Sequence, residues 1–125
     1  MAKVTGLGGI FYKAADPEAT KAWYRDMLGV GGDHGAMFAF KDDAADGFAL
    51  LTPFAQGSDY FAPSSAEFMI SLRVDDLAAM VAELEGKGVA ILGRQDEDYG
   101  QFAWIMDPDG IKIELYQQAI NGDAH

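Results

Sequence analysis

The strongest constraint on this chain is a pattern that repeats after sixty positions. Four pairs of like residues coincide when the sequence is shifted by that interval: Lys13 with Arg73, Asp16 with Asp76, Ala19 with Ala79 and Ala22 with Ala82. Each copy predicts an apolar strand, an acidic turn and an amphipathic helix. A repeated unit of this kind buries its apolar surface against the other copy. The chain is therefore predicted to contain two copies of one supersecondary unit.

Two helices are predicted, one between Asp16 and Gly29 and one between Asp76 and Gly88. An aspartate before a helix accepts hydrogen bonds from its first free N–H groups, and Pro17 follows the first of them at a position where no donor is lost. The glycines mark the ends, since glycine adopts the left-handed conformation that closes a helix.

Strands are predicted before and after each helix. In the first copy they cover 10–13, 37–40 and 48–51, and in the second 68–74, 102–106 and 111–115. The last two are joined by Asp107-Pro108-Asp109-Gly110, a strong turn sequence. Trp23 and Phe38 are assigned to the core. Residues 96–98 are predicted to form a solvated acidic loop, and the Tyr60-Phe61 pair suggests that the connecting segment packs down.

The size and charge of the chain limit the number of domains and the kinds of partner that it can have. Its 125 residues suit one domain, with a first module at about 4–54, a linker at about 55–66, a second module at about 67–118 and a tail at 119–125. The net charge of −11 repels phosphate backbones and anionic lipid, so nucleic-acid and membrane partners are not expected. There is no cysteine, which excludes disulfides and thiolate chemistry. A cytoplasmic location is the default expectation.

The second-copy strands can be divided into two faces by their alternation. Ile111, Ile113 and Leu115 share one apolar face, which is predicted to lie under the helices. Lys112, Glu114 and Tyr116 then share the other face. The same argument places Met69, Ser71 and Arg73 on that second face, and the repeat adds Leu51.

A duplicated βαβββ unit with these motifs resembles the vicinal oxygen chelate superfamily, which includes glyoxalase, bleomycin-resistance proteins and extradiol dioxygenases. Three segments carry the resemblance: 16–29, 74–77 and 107–115. It implies an α+β fold in which two βαβββ modules form a curved mixed sheet around a cleft, with the helices on its outer face. It also implies a homodimer.

Enzymes of that family hold a divalent metal through two ligands from each module. The matching positions here are Gly9, Leu51, Met69 and Glu114. Glycine and leucine offer no donor atom, and a thioether suits soft metals rather than the ions such chemistry uses. Glu114 is the only retained ligand position, so no metal cofactor is expected, and a divalent ion is kept as the alternative. His34, in a glycine-flanked loop, is the weaker candidate for a ligand.

The sequence thus predicts a protein that binds a small molecule in its cleft without metal. The acidic surface favours cationic ligands. Glu114 is predicted to form a charge-assisted network with Arg73 or Lys112, or else to be solvated at the cleft mouth. The alternative is an enzyme, a lyase, isomerase or dioxygenase, that depends on a metal or uses Glu114 as a general base assisted by Tyr99 or Arg73. The predicted ligand-binding residues are Gly9, Leu51, Tyr60, Met69, Ser71, Arg73, Tyr99, Trp104, Lys112 and Glu114, and Phe61 and Phe102 are further candidates for an aromatic wall.

Overall fold

The structure, a computed structural model, describes residues 10–31, 35–43 and 45–119. Two helices, α1 at Pro17–Leu28 and α2 at Leu77–Gly86, accompany a short 3-10 helix at Phe40–Asp42. There are four described strands, numbered in chain order: β1 at Ile70–Arg73, β2 at Gly93–Glu97, β3 at Gly100–Met106 and β4 at Lys112–Gln118. The predicted α+β class is confirmed.

Both helices begin and end as the sequence predicts. The Asp16 side chain accepts a hydrogen bond from the Ala19 N–H at 3.2 Å, and the Asp76 side chain accepts one from Ala79 at 3.0 Å. Gly29 closes α1 with a φ of 72°. This left-handed conformation is open to glycine without steric cost, which explains why the helix ends there.

The four strands form one mixed sheet in the order β1-β4-β3-β2. Strand β1 runs parallel to β4, whereas β3 is antiparallel to both of its neighbours. The turn between β3 and β4 is the predicted one: the Gly110 N–H donates to the Asp107 carbonyl at 3.1 Å, and Gly110 has a φ of 78°.

The core lies between the helices and one face of this sheet. Its fully buried members are Leu77, Leu84, Ala103, Ile105, Ile113 and Leu115. Trp23 packs against this core, as predicted. The apolar face of β4 is therefore under the helices, and its other face is free to build a site.

Helix α1 is fastened to the turn between β3 and β4. The Tyr24 hydroxyl donates to buried Asp107 at 2.8 Å, and the Thr20 hydroxyl donates to Asp109 at 2.7 Å. Because Asp107 also accepts from the Ile111 N–H at 2.9 Å, the turn and the helix share one hydrogen-bonding centre.

Several local predictions were wrong. The segments 10–13, 37–40 and 48–51 are not strands, and Phe40 begins the 3-10 helix instead. Strands gain stability from a ladder partner and a covered face, and Phe40 is 92% exposed. Phe38, assigned to the core, is 61% exposed. Asp96 and Glu97 belong to strand β2, whose polar side chains face solvent at the sheet edge.

The predicted module boundaries remain a prediction. Within the part of the chain that the structure describes, no helix has the length and apolar character needed to cross a membrane. Gly9 and His34 lie outside the described residues, so their predicted roles stay open.

Candidate functional site

Glu114 occupies the centre of the sheet face that points away from the helices. The strand register places it directly between Ser71 of β1 and Trp104 of β3. Because side chains opposite one another in a sheet lie side by side, these three form one row across the sheet. The next row, two residues further along β4, consists of Arg73, Tyr116 and Phe102.

The carboxylate of Glu114 is held by two neutral hydroxyl groups. Oε1 accepts a hydrogen bond from the Tyr60 hydroxyl at 2.6 Å, and Oε2 accepts one from the Ser71 hydroxyl at 2.9 Å. Hydrogen bonds to an ionised acceptor are shorter and stronger than those between neutral groups. Strand β4 supplies the acceptor, β1 one donor, and the connecting segment the other.

The predicted ion-pair network of Glu114 is wrong for both basic residues. Arg73 forms a salt bridge with Asp43 and donates to the Phe48 carbonyl, because it lies in the neighbouring row of the sheet. The Asp43 carboxylate raises the pKa of Arg73. Lys112 donates instead to the backbone carbonyl of Tyr60. In 10–31, 35–43 and 45–119, no cation forms a salt bridge with Glu114.

Lys112 is nevertheless part of the site. Its Nζ lies 5.0 Å from the centre of the Tyr60 ring and 5.6 Å from that of Trp104. These distances suit a cation–π interaction. Burial lowers the pKa of Lys112, and the nearby carboxylate of Glu114 opposes that shift. The amine is thus enclosed by rings and a carbonyl.

Tyr60 contacts both charged residues of the site, Glu114 and Lys112. Burial and its hydrogen bond to Glu114 raise the pKa of the Tyr60 phenol. The phenol therefore stays protonated at neutral pH and acts as a donor. Its ring stacks on Phe54 with centroids 5.3 Å apart and meets Trp104 edge-on at 6.1 Å.

Aromatic rings extend from this cluster along the sheet. Phe102 stacks on Trp104 with centroids 6.2 Å apart and an interplanar angle of 8°, and Tyr116 stacks on Phe102 at 5.0 Å. Tyr99, which is half exposed, meets Phe102 edge-on at 5.8 Å. Three stacked rings next to a carboxylate form an apolar surface with a polar end, the usual lining of a small-molecule site.

The Nε1–H donor of Trp104 is buried beside Tyr60. It is outside ordinary hydrogen-bond geometry for any acceptor among the described residues, but it lowers the pKa of the Tyr60 phenol, as a weak donor to the phenol oxygen would. A donor so poorly paired costs free energy, which a better placed acceptor would recover.

The metal-ligand positions do not fit a divalent ion. Leu51 has no donor atom and is 85% exposed, and Met69 offers only a thioether. Both oxygens of Glu114 are already engaged by hydroxyl groups. The described residues contain no group of three histidine, cysteine or acidic side chains placed to share an ion. Binding such an ion would require further donors, which neither Leu51 nor Met69 supplies.

The assisting residues of the predicted general base are also separated from it. Arg73 is committed to Asp43 and Phe48, and the Tyr99 ring contacts Phe102 rather than Glu114. Tyr60 is the tyrosine in contact with the carboxylate.

A hollow of about 680 Å³ lies beyond the carboxyl ends of β1 and β4. Leu72, Val74 and Met80 contribute apolar lining, and Arg73 borders it. This hollow does not include Glu114 or Trp104, so it is separate from the site described above.

The structure thus brings together five of the predicted residues: Tyr60, Ser71, Trp104, Lys112 and Glu114. Arg73 and Tyr99 lie beside them, and Leu51 does not join them. Phe54 was missed, and Tyr116 was not named as a ligand-binding residue. The alternation of β4 does place Tyr116 on the same face as Glu114, whereas no sequence signal marks Phe54.

Comparisons with known proteins agree with this architecture. A sequence model of the Glyoxalase/Bleomycin resistance protein/Dioxygenase superfamily matches residues 6–115. The chain belongs to this superfamily, and its fold is glyoxalase-like.

Individual relatives extend the comparison. The uncharacterized protein YaeR of Escherichia coli K12 is 32% identical over 116 residues, covering 84% of this chain and 90% of its own. A protein from the mobile metagenome of V. Pseudocholerae shares the fold with a TM-score of 0.60 and 20% identity, covering 95% of this chain and 98% of its own. TnmS3, an antibiotic binding protein from Streptomyces sp. CB03234, is 26% identical with a TM-score of 0.50, covering 84% of this chain and 88% of its own.

Proposed function

We propose that this member of the superfamily binds an aromatic small molecule against the exposed face of its sheet, without a metal ion. One observation carries the proposal: the rings of Tyr116, Phe102 and Trp104 lie in line and lead to Glu114. A planar aromatic ligand packed against this row would present its polar groups to the carboxylate of Glu114. The antibiotic-binding relative supports binding, rather than turnover, as the function.

The side chains at the family's metal-ligand positions support a site without a metal ion. Of the four family ligand positions, Leu51 and Met69 cannot replace oxygen or nitrogen ligands, and Glu114 is engaged by two hydroxyl groups. A ligand held by stacking and hydrogen bonds needs no ion.

Thermal denaturation with a panel of planar aromatic antibiotics, and aliphatic compounds of similar size, tests this function. A ligand at a hundred times its Kd stabilises the folded state by about 2.7 kcal/mol, which raises the melting temperature. Phe102→Ala should weaken binding by at least about fivefold, because an aromatic contact contributes about 1 kcal/mol beyond its buried area. Phe11→Ala is the matched control, since Phe11 is exposed and lies off the site.

Two outcomes would contradict the proposal. The first is that aliphatic compounds bind with the same affinity as aromatic ones. The second is a melting temperature that rises with added divalent ions and falls with a chelator. Turnover of a ligand that Glu114→Gln abolishes would assign the site to an enzyme instead.

We also propose that the chain is a homodimer. Its first half leaves several large apolar side chains exposed, among them Met37, Phe40 and Leu51. Extended apolar surface is rare on monomers, and a second copy of the same chain is the commonest partner that covers it. A cytoplasmic location remains part of the proposal.

A further inference from the structure

The candidate site holds a side chain in the way that it would hold a ligand. The Tyr60 phenol donates to Glu114 at 2.6 Å, its ring lies against the edge of Trp104, and Lys112 sits over its face. Each of these contacts is a recognition element for a phenol: an acceptor for the hydroxyl, an aromatic neighbour and a cation above the ring.

Tyr60 reaches the site from a short, largely exposed segment. We call residues 54–64 the strap. Its residues 55–59 are exposed, and Tyr60 contacts the sheet through both its hydroxyl and its backbone carbonyl. At its far end the Ser64 hydroxyl donates to the Gly110 carbonyl, which fastens the strap to the turn between β3 and β4. Releasing Tyr60 therefore moves a short exposed segment and leaves the buried core intact.

The geometry points to Tyr60 as an internal occupant of the ligand site, and to hydroxyaromatic molecules as ligands that bind by displacing it. This inference rests on the proposed function, because it names the ligand class for the same sheet face. The entering phenol takes over the hydrogen bond to Glu114, the edge contact with Trp104 and the position beneath Lys112. The strap swings away with Tyr60.

A cavity experiment isolates this exchange. Tyr60→Ala removes the phenol from the strap, and p-cresol supplies the same ring and hydroxyl from solution. Its matched control is 4-methylanisole, which has the same ring but no hydroxyl donor. Binding is followed by fluorescence of Trp104 in a Trp23→Phe background, which leaves Trp104 as the single tryptophan, and thermal melts confirm that each variant is folded.

Tyr60→Ala should bind p-cresol roughly tenfold more tightly than the parent, because the competing hydrogen bond to a charged acceptor is gone. Tyr60→Phe should fall between them, since it keeps the ring and loses the hydroxyl. The variant should prefer p-cresol over 4-methylanisole, and adding Glu114→Gln should reduce that preference. In the parent, saturating p-cresol should accelerate chymotryptic cleavage within the strap.

Equal affinity of the parent and Tyr60→Ala for p-cresol would overturn the inference, because Tyr60 would then not compete with the ligand. Equal binding of p-cresol and 4-methylanisole by the variant would also overturn it, since only an apolar cavity would have been filled. If either result appears while the antibiotic panel still binds in a Phe102-dependent manner, the proposed function stands without this ligand class. If the panel also fails, the proposed function falls as well.

Discussion

At the scale of single residues, the site depends on which groups donate hydrogen bonds to the Glu114 carboxylate. A carboxylate on a partly buried sheet face needs donors, and here they are the hydroxyl groups of Tyr60 and Ser71 rather than a cation. Neutral donors leave the negative charge of Glu114 in place. The carboxylate therefore stays attractive to a ligand that brings its own hydroxyl or amine.

The raised pKa of Tyr60 predicts how the free energy of unfolding changes at alkaline pH. Burial and Glu114 raise the pKa of its phenol above the ordinary value of 10.0. The unfolded phenol loses its proton first, so this contribution to stability is complete below pH 10 and is lost as the pH rises towards the folded-state pKa. Chemical denaturation at about pH 8 and about pH 11 should show a smaller alkaline loss of stability for Tyr60→Phe than for the parent.

Tyr99→Phe is the control for this measurement, because Tyr99 is half exposed and makes no contact with Glu114. This variant keeps the Tyr60 phenol and its hydrogen bond to Glu114, so it should retain most of the alkaline loss of stability. An identical alkaline loss in Tyr60→Phe and the parent would show that the phenol does not hold its proton more tightly in the folded protein.

The residue-scale predictions from sequence succeeded where strand alternation determined them. Ser71, Lys112 and Glu114 share a face because every second side chain of a strand does so. Tyr60 as the partner of Glu114 was not predicted, since the two residues are 54 positions apart and meet only through the path of the strap. The ion pair with Arg73 failed for a related reason: a face assignment does not tell which row a side chain reaches.

At the scale of elements, strand β3 is shaped by a glycine beneath an aromatic ring. A Cβ atom at Gly100 would lie 2.7 Å from the Gln117 carbonyl oxygen and would collide with the Tyr116 ring. The absence of a side chain at Gly100 allows the Tyr116 ring to lie close to the backbone there and to stack on Phe102.

We expect Gly100→Ala to lower the free energy of unfolding by about 1–3 kcal/mol, the usual cost of overpacking. Gly93→Ala in β2 is the matched control, because its Cβ would meet the Trp104 ring at an ordinary 3.7 Å. Denaturant unfolding should show a change of no more than about 0.5 kcal/mol for the control. Similar losses for both variants would indicate that the tight contact at Gly100 relaxes without cost.

The helices and strands differ in how far along the chain the residues that predict them lie. Both helices follow from their capping residues and closing glycines, which act within a few positions. Strands β3 and β4 follow from alternation and from the turn that joins them. Strand β2 was missed because an edge strand with both faces in water carries no apolar alternation. The first-half strands were overpredicted because apolar segments form strands only where a partner covers them.

At the scale of the whole molecule, those same first-half segments predict self-association. A stable protein interface buries about 1,200–2,000 Å² in total, and an extended apolar surface is the means of reaching that area. Sedimentation equilibrium should give twice the chain mass for the parent. Phe40→Glu should shift the protein towards the monomer, because it places an additional charge where Phe40 is 92% exposed in the isolated chain.

Leu92→Glu adds the same charge at a partly exposed apolar residue elsewhere, and it should leave the mass at that of the dimer. This control matters because the chain already has a net charge of −11, and any added carboxylate increases repulsion between two copies. Equal dissociation by both variants would mean that overall charge, rather than the first-half surface, governs association. A monomeric parent at concentrations well above those of ligand binding would show that each chain builds its site alone.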